Sequence, residues 1–257
     1  MNPKLAIQNI IKGRTCFVVA KGNSLIELRD RIETFRDLDV CWTTLNDFHY
    51  IEHTILSKIN RKFDLVSDCA TVSNIIHYEQ KVRIPRFEDF LSRSNNLLML
   101  SELVIQECFR DMKRIDLLQQ YNHKIITIDS LFSLPDCQPD VWHKPPNSIT
   151  LLFAFLIAGG AKKIIIFGLD GHQPNVSILN SYYMPDIVIQ ERLDAFGDNR
   201  DGSLKGDGQN FNNRWENILG IYKHSFQNWD VQLYNCSLHS TITAIPKITY
   251  DQIKDIL

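Results

Sequence analysis

The turn at residues 20–25, with the sequence Ala-Lys-Gly-Asn-Ser-Leu, has the composition of a phosphate site. It joins an apolar run at 15–20 to a stretch at 25–35 whose apolar residues recur at helical spacing. Backbone amides at such a turn, with the positive end of the helix dipole, favour a phosphate. Gly22 allows close approach to the backbone, whereas Ser24 has a second interpretation as the helix cap. The spacing is neither G-x-G-x-x-G nor a Walker loop, so the type of nucleotide site stays open.

A second group of polar residues flanks the segment 147–170. Asn147 and Ser148 follow two prolines and precede a long apolar stretch, which predicts a helix beginning there. The helix leads through a Gly-Gly pair to the apolar run 163–168 and then to Asp170. Asn147 and Ser148 either cap the helix or meet a ligand at its N-terminus. Asp170 either contacts a ribose or a metal, or is a turn residue.

The elements that must position these residues alternate along the chain. Helical stretches separate short apolar runs, which we predict as strands at 15–20, 39–43, 63–66, 97–100, 124–128, 163–168 and 231–235. Continuous apolar strands separated by helices are typical of a parallel sheet covered on both faces. The sequence therefore predicts an α/β, Rossmann-like doubly wound fold with a mostly parallel sheet.

The stretch at 171–210 interrupts this alternation, because it is rich in Asn, Asp, Gly and Ser and has few apolar runs. A loop of this length in a compact domain is usually functional or disordered. It directly follows the strand ending at Asp170, and ligands of open α/β sheets bind beyond the carboxyl ends of strands. We therefore predict one nucleotide-binding domain over 1–257 with a lid-like insertion at 171–210, and a disordered insertion is the alternative.

Composition excludes several classes of protein. The chain has 257 residues, 44% of them hydrophobic, and a formal net charge of −2, which argues against disorder and against nucleic-acid binding. Its six cysteines form no C-x-x-C pair, so we expect buried, reduced thiols in a cytosolic protein. The longest apolar run, 151–158, is too short for the ~20 residues that span a bilayer, so we expect no transmembrane segment.

Several of these segments together resemble the bacterial sialyltransferases of glycosyltransferase family 42, and equally the related MptE-like family of 6-hydroxymethylpterin pyrophosphokinases. Ser148 and Asp170 lie 22 positions apart, as in the family pattern. The resemblance covers most of the chain and depends on short motifs: Gly-Asn-Ser-Leu at 22–25, Asn-Ser-Ile at 147–149, Gly-Leu-Asp at 168–170 and Tyr-Asn-Cys-Ser at 234–237.

The sequence also departs from the family pattern. Its first turn is one residue shorter and lacks the usual Pro, and Ile149 replaces a Gly. Asn212 stands near the place of the sialyltransferases' general-base His, and an Asn cannot accept a proton at neutral pH. His172 is a substitute base, since His titrates near neutrality, or it is a surface or structural residue.

The resemblance also implies roles for other side chains. Tyr182 and Tyr183 resemble the tyrosines that assist phosphate departure, although adjacent tyrosines could equally pack on the core. Asn46 and Asp68 follow the second and third predicted strands, where they would contact the nucleotide. The nucleotide-binding set that we predict is therefore Gly22, Asn23, Ser24, Asn46, Asp68, Asn147, Ser148 and Asp170.

The function that this resemblance implies is a nucleotide-dependent transferase, a sialyltransferase-like glycosyltransferase that uses a CMP-sugar in surface-glycan assembly. Its partners would be a nucleotide-sugar donor and a small-molecule or glycan acceptor, with no metal required. One alternative is an MptE-like pyrophosphokinase that uses ATP and magnesium, with Asp170 and Asp68 as metal ligands. Another is a catalytically degenerate nucleotide-binding protein.

We also expect a cytoplasmic protein, with a peripheral position on the inner face of the membrane as the alternative. A homo-oligomer is compatible with the sequence.

Overall fold

The computed structural model describes residues 3–46, 48–68, 83–127, 148–171, 183, 208–227 and 229–257. Within them, seven strands form one sheet: β1 (Thr15–Val19), β2 (Cys41–Leu45), β3 (Leu65–Asp68), β4 (Leu97–Leu100), β5 (Ile125–Thr127), β6 (Lys163–Phe167) and β7 (Gln232–Asn235). Their order in the sheet is β5-β4-β3-β2-β1-β6-β7, and every pairing is parallel. The predicted α/β, Rossmann-like doubly wound fold is confirmed.

Strands β2 and β3 each begin two residues later than their apolar runs indicate, and both extend into polar residues. Thr43 and Thr44 are fully buried in β2 because their hydroxyls donate to the carbonyls of Phe17 and Val19, at 3.3 and 2.7 Å. A hydrogen-bonded hydroxyl can enter a core at little cost. Runs of apolar residues alone therefore misplaced these two strands.

The helices connect the strands on both faces of the sheet. In the described part of the chain they are α1 (Pro3–Ile11), α2 (Leu25–Arg31), α3 (His49–Thr54), α4 (Ile84–Ser92), α5 (Glu102–Val104), α6 (Ile115–Gln120), α7 (Ser148–Ala158), α8 (Gly208–Ser225) and α9 (Ile253–Ile256). A 3₁₀ turn, Ile32–Phe35, extends α2, and a second one, Leu56–Ile59, follows α3. A π-helical segment, Ile105–Arg110, extends α5.

The two faces of the sheet belong to two separate hydrophobic clusters. Phe17 and Val19 of β1 pack in the cluster that includes α2, α3 and α4, whereas Cys16 and Val18 pack in the one that includes α1, α7 and α8. Successive residues of a strand point to opposite faces, so a strand buried on both faces is apolar throughout. This double burial explains the continuous apolar runs in the sequence.

Helix α7 lies in the middle of the second cluster, and its residues 149–158 are all buried. It begins at Ser148 as predicted and reaches β6 through Gly159 and Gly160. At Gly159 an added Cβ would lie 2.3 Å from side-chain atoms of Ile7 and Ile11, so this glycine lets α1 pack closely. No helix in the described part of the chain is long and apolar enough to cross a membrane.

The chain reverses its direction of travel across the sheet between β1 and β6. After β1 it builds outward through β2 to β5, and it then returns to place β6 on the other side of β1. At such a point the connections that leave two neighbouring strands run to opposite faces of the sheet, and ligands of open α/β sheets bind in the crevice outside the carboxyl ends of these strands. We call this point the switch point.

Candidate functional site

The turn after β1 and the turn after β6 meet at the switch point. The Gly22 amide donates to the carbonyl of Gly168 at 2.8 Å, which joins the two turns directly. A Cβ on Gly22 would lie 2.4 Å from Asp170 Oδ2 and 2.5 Å from the Gly168 carbonyl oxygen. Gly168 has a φ of +72°, which favours glycine. Gly22 is thus required for the contact between the two turns, in addition to its predicted role beside a ligand.

Two predicted nucleotide-binding residues, Ser24 and Asp170, are in direct contact. The Ser24 amide donates to Asp170 Oδ2 at 3.0 Å, and the Ser24 hydroxyl donates to Oδ1. The hydroxyl makes no capping bond to helix α2, so the capping interpretation of Ser24 is wrong. The start of α2 and the turn before it favour a negative charge, and the Asp170 carboxylate provides that charge.

Ser237, which follows β7, joins this pair. Its hydroxyl lies 2.8 Å from that of Ser24, and because the Ser24 proton goes to Asp170, Ser237 is the donor. The Ser237 amide donates to Asn235 Oδ1 at 3.0 Å, and the Asn235 side chain donates to the Leu169 carbonyl at 3.0 Å. We call Ser24, Asp170, Asn235 and Ser237 the switch-point network, which ties the ends of β1, β6 and β7 together.

Asp170 is also fixed through its backbone, because the Thr241 amide donates to its carbonyl at 2.9 Å. Burial raises the pKa of the neighbouring Cys236 thiol, which is therefore protonated and unsuited to act as a nucleophile. The groups that donate hydrogen bonds to Asp170 are the hydroxyl and amide of Ser24 and the amide of Thr241. Asp170 is half-buried and Asn23 exposed, so this end of the sheet remains open to a ligand.

The carboxylate at the end of β3 has different surroundings. Asp68 Oδ1 lies 2.5 Å from the Arg83 guanidinium, whose Nε donates to Oδ2 at 3.3 Å, and both residues are buried. Arg83 also lies over the ring of Phe87, at 5.7 Å from its centroid. Sequence reasoning missed Arg83, because a lone arginine in a polar stretch gives no sign that a counterion will bury it.

Two other predicted nucleotide-binding residues, Asn46 and Ser148, lie at the same edge of the sheet. Asn46 follows β2 with a φ of +48°, and its amide donates to the Ser67 carbonyl at 2.7 Å. Ser148 is half-buried at the start of α7. Asn147 lies outside the described residues, as do His172 and Tyr182, so their assigned roles remain predictions.

Tyr183 is the one described residue of 172–207, and it is buried. Its amide donates to the Lys21 carbonyl at 2.9 Å, and its hydroxyl donates to Thr54 Oγ1 at 3.0 Å. Its ring packs beside Tyr50, with the centroids 6.3 Å apart. These contacts hold Tyr183 against the turn after β1 and against α3. Helix α8 begins at Gly208, two residues before the predicted end of the insertion at 210.

The two candidate magnesium ligands, Asp68 and Asp170, cannot share an ion in this fold. They follow β3 and β6, which are three strand spacings apart, or about 14 Å at ~4.8 Å per spacing. Ligands of one Mg²⁺ each lie about 2.1 Å from it. Among the described residues, no three His, Cys, Asp or Glu side chains gather closely enough to hold a metal ion.

Three of the six cysteines are resolved as free, buried thiols, as predicted: Cys16, Cys41 and Cys236. Cys16 and Cys41 are partners in the register of β1 and β2. The hydrogen bond with the neighbouring Cys16 thiol, together with burial, raises the pKa of Cys41 well above its ordinary value. These thiols belong to the core and not to the switch-point network.

Comparisons with known proteins identify the class of fold. No family model matches the chain, and no curated protein matches its sequence. Similar solved structures do exist, and they include sialyltransferases. The monofunctional α-2,3-sialyltransferase Cst-I from Campylobacter jejuni has a TM-score of 0.55 at 13% identity, covering 91% of this chain and 80% of that one.

A second sialyltransferase, CstII from Campylobacter jejuni, is similar to the same extent. Its structure with cytidine-5'-monophosphate, described as a substrate analogue, has a TM-score of 0.52 at 14% identity, covering 93% of this chain and 86% of that one. Its structure with CMP-3FNeuAc has a TM-score of 0.53 at 15% identity, covering 92% and 86%. The chain therefore has a sialyltransferase-like fold. Membership of glycosyltransferase family 42, or of the MptE-like family, remains a prediction.

Proposed function

We propose that this protein is a glycosyltransferase-like enzyme that transfers a sugar from a CMP-activated donor. The observation that carries the proposal is the switch-point network, in which a half-buried carboxylate is held by neutral donors at the crevice between β1 and β6. The similarity in fold to sialyltransferase structures that hold CMP or CMP-3FNeuAc supports the choice of nucleotide.

Asp170 has acceptor capacity left for a nucleotide. A carboxylate offers about four lone-pair positions, and Ser24 occupies two of them. The free positions suit the hydroxyls of a ribose, which donate to a carboxylate. Asn23 and Asn46 carry amides that can both donate and accept, so they suit a phosphate or a base. Asn147 and Ser148, at the start of α7, would lie by the phosphate or the sugar carboxylate.

The transfer breaks the bond between the anomeric carbon and the phosphate oxygen, so that CMP leaves with the electron pair. The acceptor oxygen bonds to the anomeric carbon, and its proton passes to a base. The protein must therefore stabilise the leaving phosphate and accept one proton. Asn212 lies in α8 and cannot act as that base, so we propose His172. Tyr182 and Tyr183 would assist phosphate departure.

The proposal includes no metal cofactor, because hydroxyl and amide donors can stabilise a monophosphate leaving group. Transfer should therefore continue in excess chelator. Loss of all transfer with chelator, restored by magnesium, would contradict the proposal and would favour the pyrophosphokinase.

Nucleotide binding tests the proposal most directly. Thermal unfolding should shift upward with CMP, because a ligand that binds the native state at 100 times its Kd stabilises it by about 2.7 kcal/mol. Asp170→Asn should remove most of this shift, whereas Asp30→Asn, on the exposed side of α2, should leave it unchanged. A shift in thermal unfolding with ATP and magnesium, but none with millimolar CMP, would contradict the proposal and favour the pyrophosphokinase. No shift with either would favour a binding protein for another ligand.

Turnover tests the assignment of the base. Removing a general base typically lowers the rate about 10²–10⁴-fold, so His172→Ala should do so while CMP binding stays nearly unchanged. His239→Ala provides the control, since His239 is an exposed His that follows β7. Turnover of His172→Ala close to that of the unmodified protein would remove His172 from the mechanism.

A further inference from the structure

The outer side of β7 is an edge of the sheet, since in the described part of the chain β7 pairs with no strand other than β6. A groove of about 270 Å³ lies along this edge, and residues from α8, from the segment 229–234 and from the segment 244–246 line it. We call it the edge groove. Its volume is just below the range of roughly 300–1,000 Å³ that is usual for small-molecule sites, so it suits a short segment of a larger ligand.

The backbone of β7 shows which residues face this groove. In a parallel strand, the amide and carbonyl groups of successive residues point alternately to the two sides. The amides of Gln232 and Cys236 donate to carbonyls in β6 and just before it, at 3.2 and 2.8 Å, so these residues face inward. The backbone groups of Leu233 and Asn235 therefore point outward, away from β6.

The chain itself covers only the carboxyl end of this outer edge. The Asn235 amide donates to the Pro246 carbonyl at 2.8 Å, and the Ile248 amide donates to the Asn235 carbonyl at 3.1 Å. Leu233 lines the edge groove, and its outward amide and carbonyl make no hydrogen bond to any described residue. An open strand edge with space beside it can pair with the backbone of another extended chain.

The side chains of the edge groove provide apolar surface and one cation. Leu219, Trp229 and Leu233 are half-buried, so part of their apolar surface remains accessible. Lys223 is exposed and forms no ion pair with a described residue. None of the described residues that line the groove is acidic, and Asp230, although close in sequence, does not line it. This combination suits apolar side chains accompanied by a carboxylate.

We infer that the edge groove binds an extended peptide segment of a partner protein, which adds a strand outside β7. The backbone of the segment pairs with the open amide and carbonyl of Leu233. Its apolar side chains pack on Trp229, and an acidic side chain reaches Lys223. Because side chains of a strand alternate between faces, the apolar and acidic residues stand an even number of positions apart. The inference does not depend on the proposed function, since no residue of the switch-point network lines the groove.

An NMR titration of the full chain with the peptide acetyl-Val-Thr-Val-Thr-Asp-amide tests this inference. In a strand, the two valines and the aspartate of the peptide lie on one face. The amide signals of residues 231–233 should shift, whereas those of β5, at the opposite edge of the sheet, should not. Unchanged signals at 231–233 with millimolar peptide would overturn the inference. Shifts there that grow with protein concentration alone would assign the edge to a second copy of this chain, which would also overturn it.

Two N-methylated forms of the peptide test the pairing of the backbones. One form carries methyl groups on the amides of the valines and the aspartate, and the other carries them on the threonines. Only alternate residues of an added strand donate to β7, and a hydrogen bond contributes about fivefold in affinity. One form should therefore bind at least about fivefold more weakly than the other. Equal affinities would mean that no strand is added.

Lys223→Gln tests the recognition of the acidic side chain. It should weaken binding of the peptide about two- to fivefold, as is typical of an exposed ion pair. Lys254→Gln is the control, because it removes the same charge from an exposed lysine of α9 that does not line the groove. A peptide with Asn in place of its aspartate should bind the two variants equally. If the acidic peptide also bound both variants equally, the assignment of a carboxylate to Lys223 would be wrong.

Discussion

Two aspartates that end parallel strands at the same edge of the sheet have opposite surroundings. Asp170, after β6, is half-buried and bonded to the neutral donors of Ser24. Asp68, at the end of β3, is buried against the guanidinium of Arg83. Both were predicted as nucleotide contacts, because each follows a strand at the edge where ligands bind.

The difference indicates which carboxylate can still act on a ligand. Neutral hydrogen bonds leave the charge of Asp170 in place and part of its surface open, so it can accept a ligand's hydroxyls. Asp68 is neutralised and enclosed, and its release would leave an uncompensated arginine in the interior. Position at the carboxyl edge is therefore insufficient to identify a ligand contact, and the counterion decides the role.

Among the substitutions that test this difference between the two aspartates, we expect Asp68→Ala to have the largest effect on stability. Removing one partner of a buried ion pair costs about 3–5 kcal/mol, because the other charge stays buried and unpaired. Urea unfolding measures this loss, and Asp30→Ala, on an exposed aspartate, is the control. The second variant Asp68→Ala/Arg83→Met should recover part of the stability. A loss no greater than that of the control would show that Arg83 does not depend on Asp68.

Gly22→Ala should have the next largest effect. Its Cβ would overlap the Asp170 carboxylate and the Gly168 carbonyl, and overpacking of this kind costs about 1–3 kcal/mol. Because the new methyl group displaces Asp170, binding of CMP should weaken as well. Gly220→Ala is a matched control, since nothing lies within 4 Å of its Cβ inside α8. That substitution should stabilise the protein by about 0.5–1 kcal/mol. Equal stability of the two variants would contradict the prediction.

Ser237→Ala tests the support of Asp170 from β7. Loss of one hydrogen bond typically costs about 1 kcal/mol, so thermal unfolding should show a decrease of that size. The Ser24 hydroxyl loses its donor but keeps its bond to Asp170, so CMP binding should weaken only moderately. Ser92→Ala, on the exposed end of α4, should change neither quantity. CMP affinity reduced as far as in Asp170→Asn would mean that Ser237 contacts the ligand itself.

We expect the smallest effect from Asp64, which lies just before β3, at the amino ends of the strands. The effect is a pH dependence of the free energy of unfolding. Burial raises the pKa of Asp64, although the Trp42 amide that donates to it at 2.8 Å lowers that pKa in part. A pKa that is higher in the folded state means that the neutral form is favoured there. The contribution of neutral Asp64 to stability is therefore complete at pH values below the pKa of the unfolded state. It is lost as the pH rises through the pKa of the folded state.

Urea unfolding at several pH values compares Asp64 with Asp64→Asn, which stays neutral throughout. The stability of the unmodified protein relative to the variant should fall as pH rises from below 3.8, the ordinary pKa of the group. A difference that is constant with pH would indicate an unshifted carboxylate.

The sequence predicted the fold well because strands buried on both faces leave continuous apolar runs. It misplaced β2 and β3, where Thr43 and Thr44 enter the core through hydrogen bonds to a neighbouring strand. Apolar patterning has no means of detecting such bonds, since they depend on which strand lies alongside. The same limit applies to the buried Arg83, whose counterion belongs to another element.

The candidate site was predictable in part. Ser24 and Asp170 stand in recognisable turns after strands, and their contact follows from the parallel pairing of β1 and β6. Ser237 stands 213 positions from Ser24, in the Tyr-Asn-Cys-Ser motif of the resemblance, to which the sequence assigned no role. Only the order of strands in the sheet brings it there, and the sequence predicts that order poorly.

The position of β1 between β2 and β6 affects how the chain folds while the ribosome synthesises it. β1 can pair with β2 early, but its other neighbour begins only at Lys163. At ~5–20 residues per second, synthesis from the end of β2 to the start of β6 takes roughly 6–24 seconds. During that time one side of an apolar strand lacks its partner, which exposes it to aggregation. The crevice at the switch point therefore assembles late, and a chaperone that covers β1 in the interval would favour its completion.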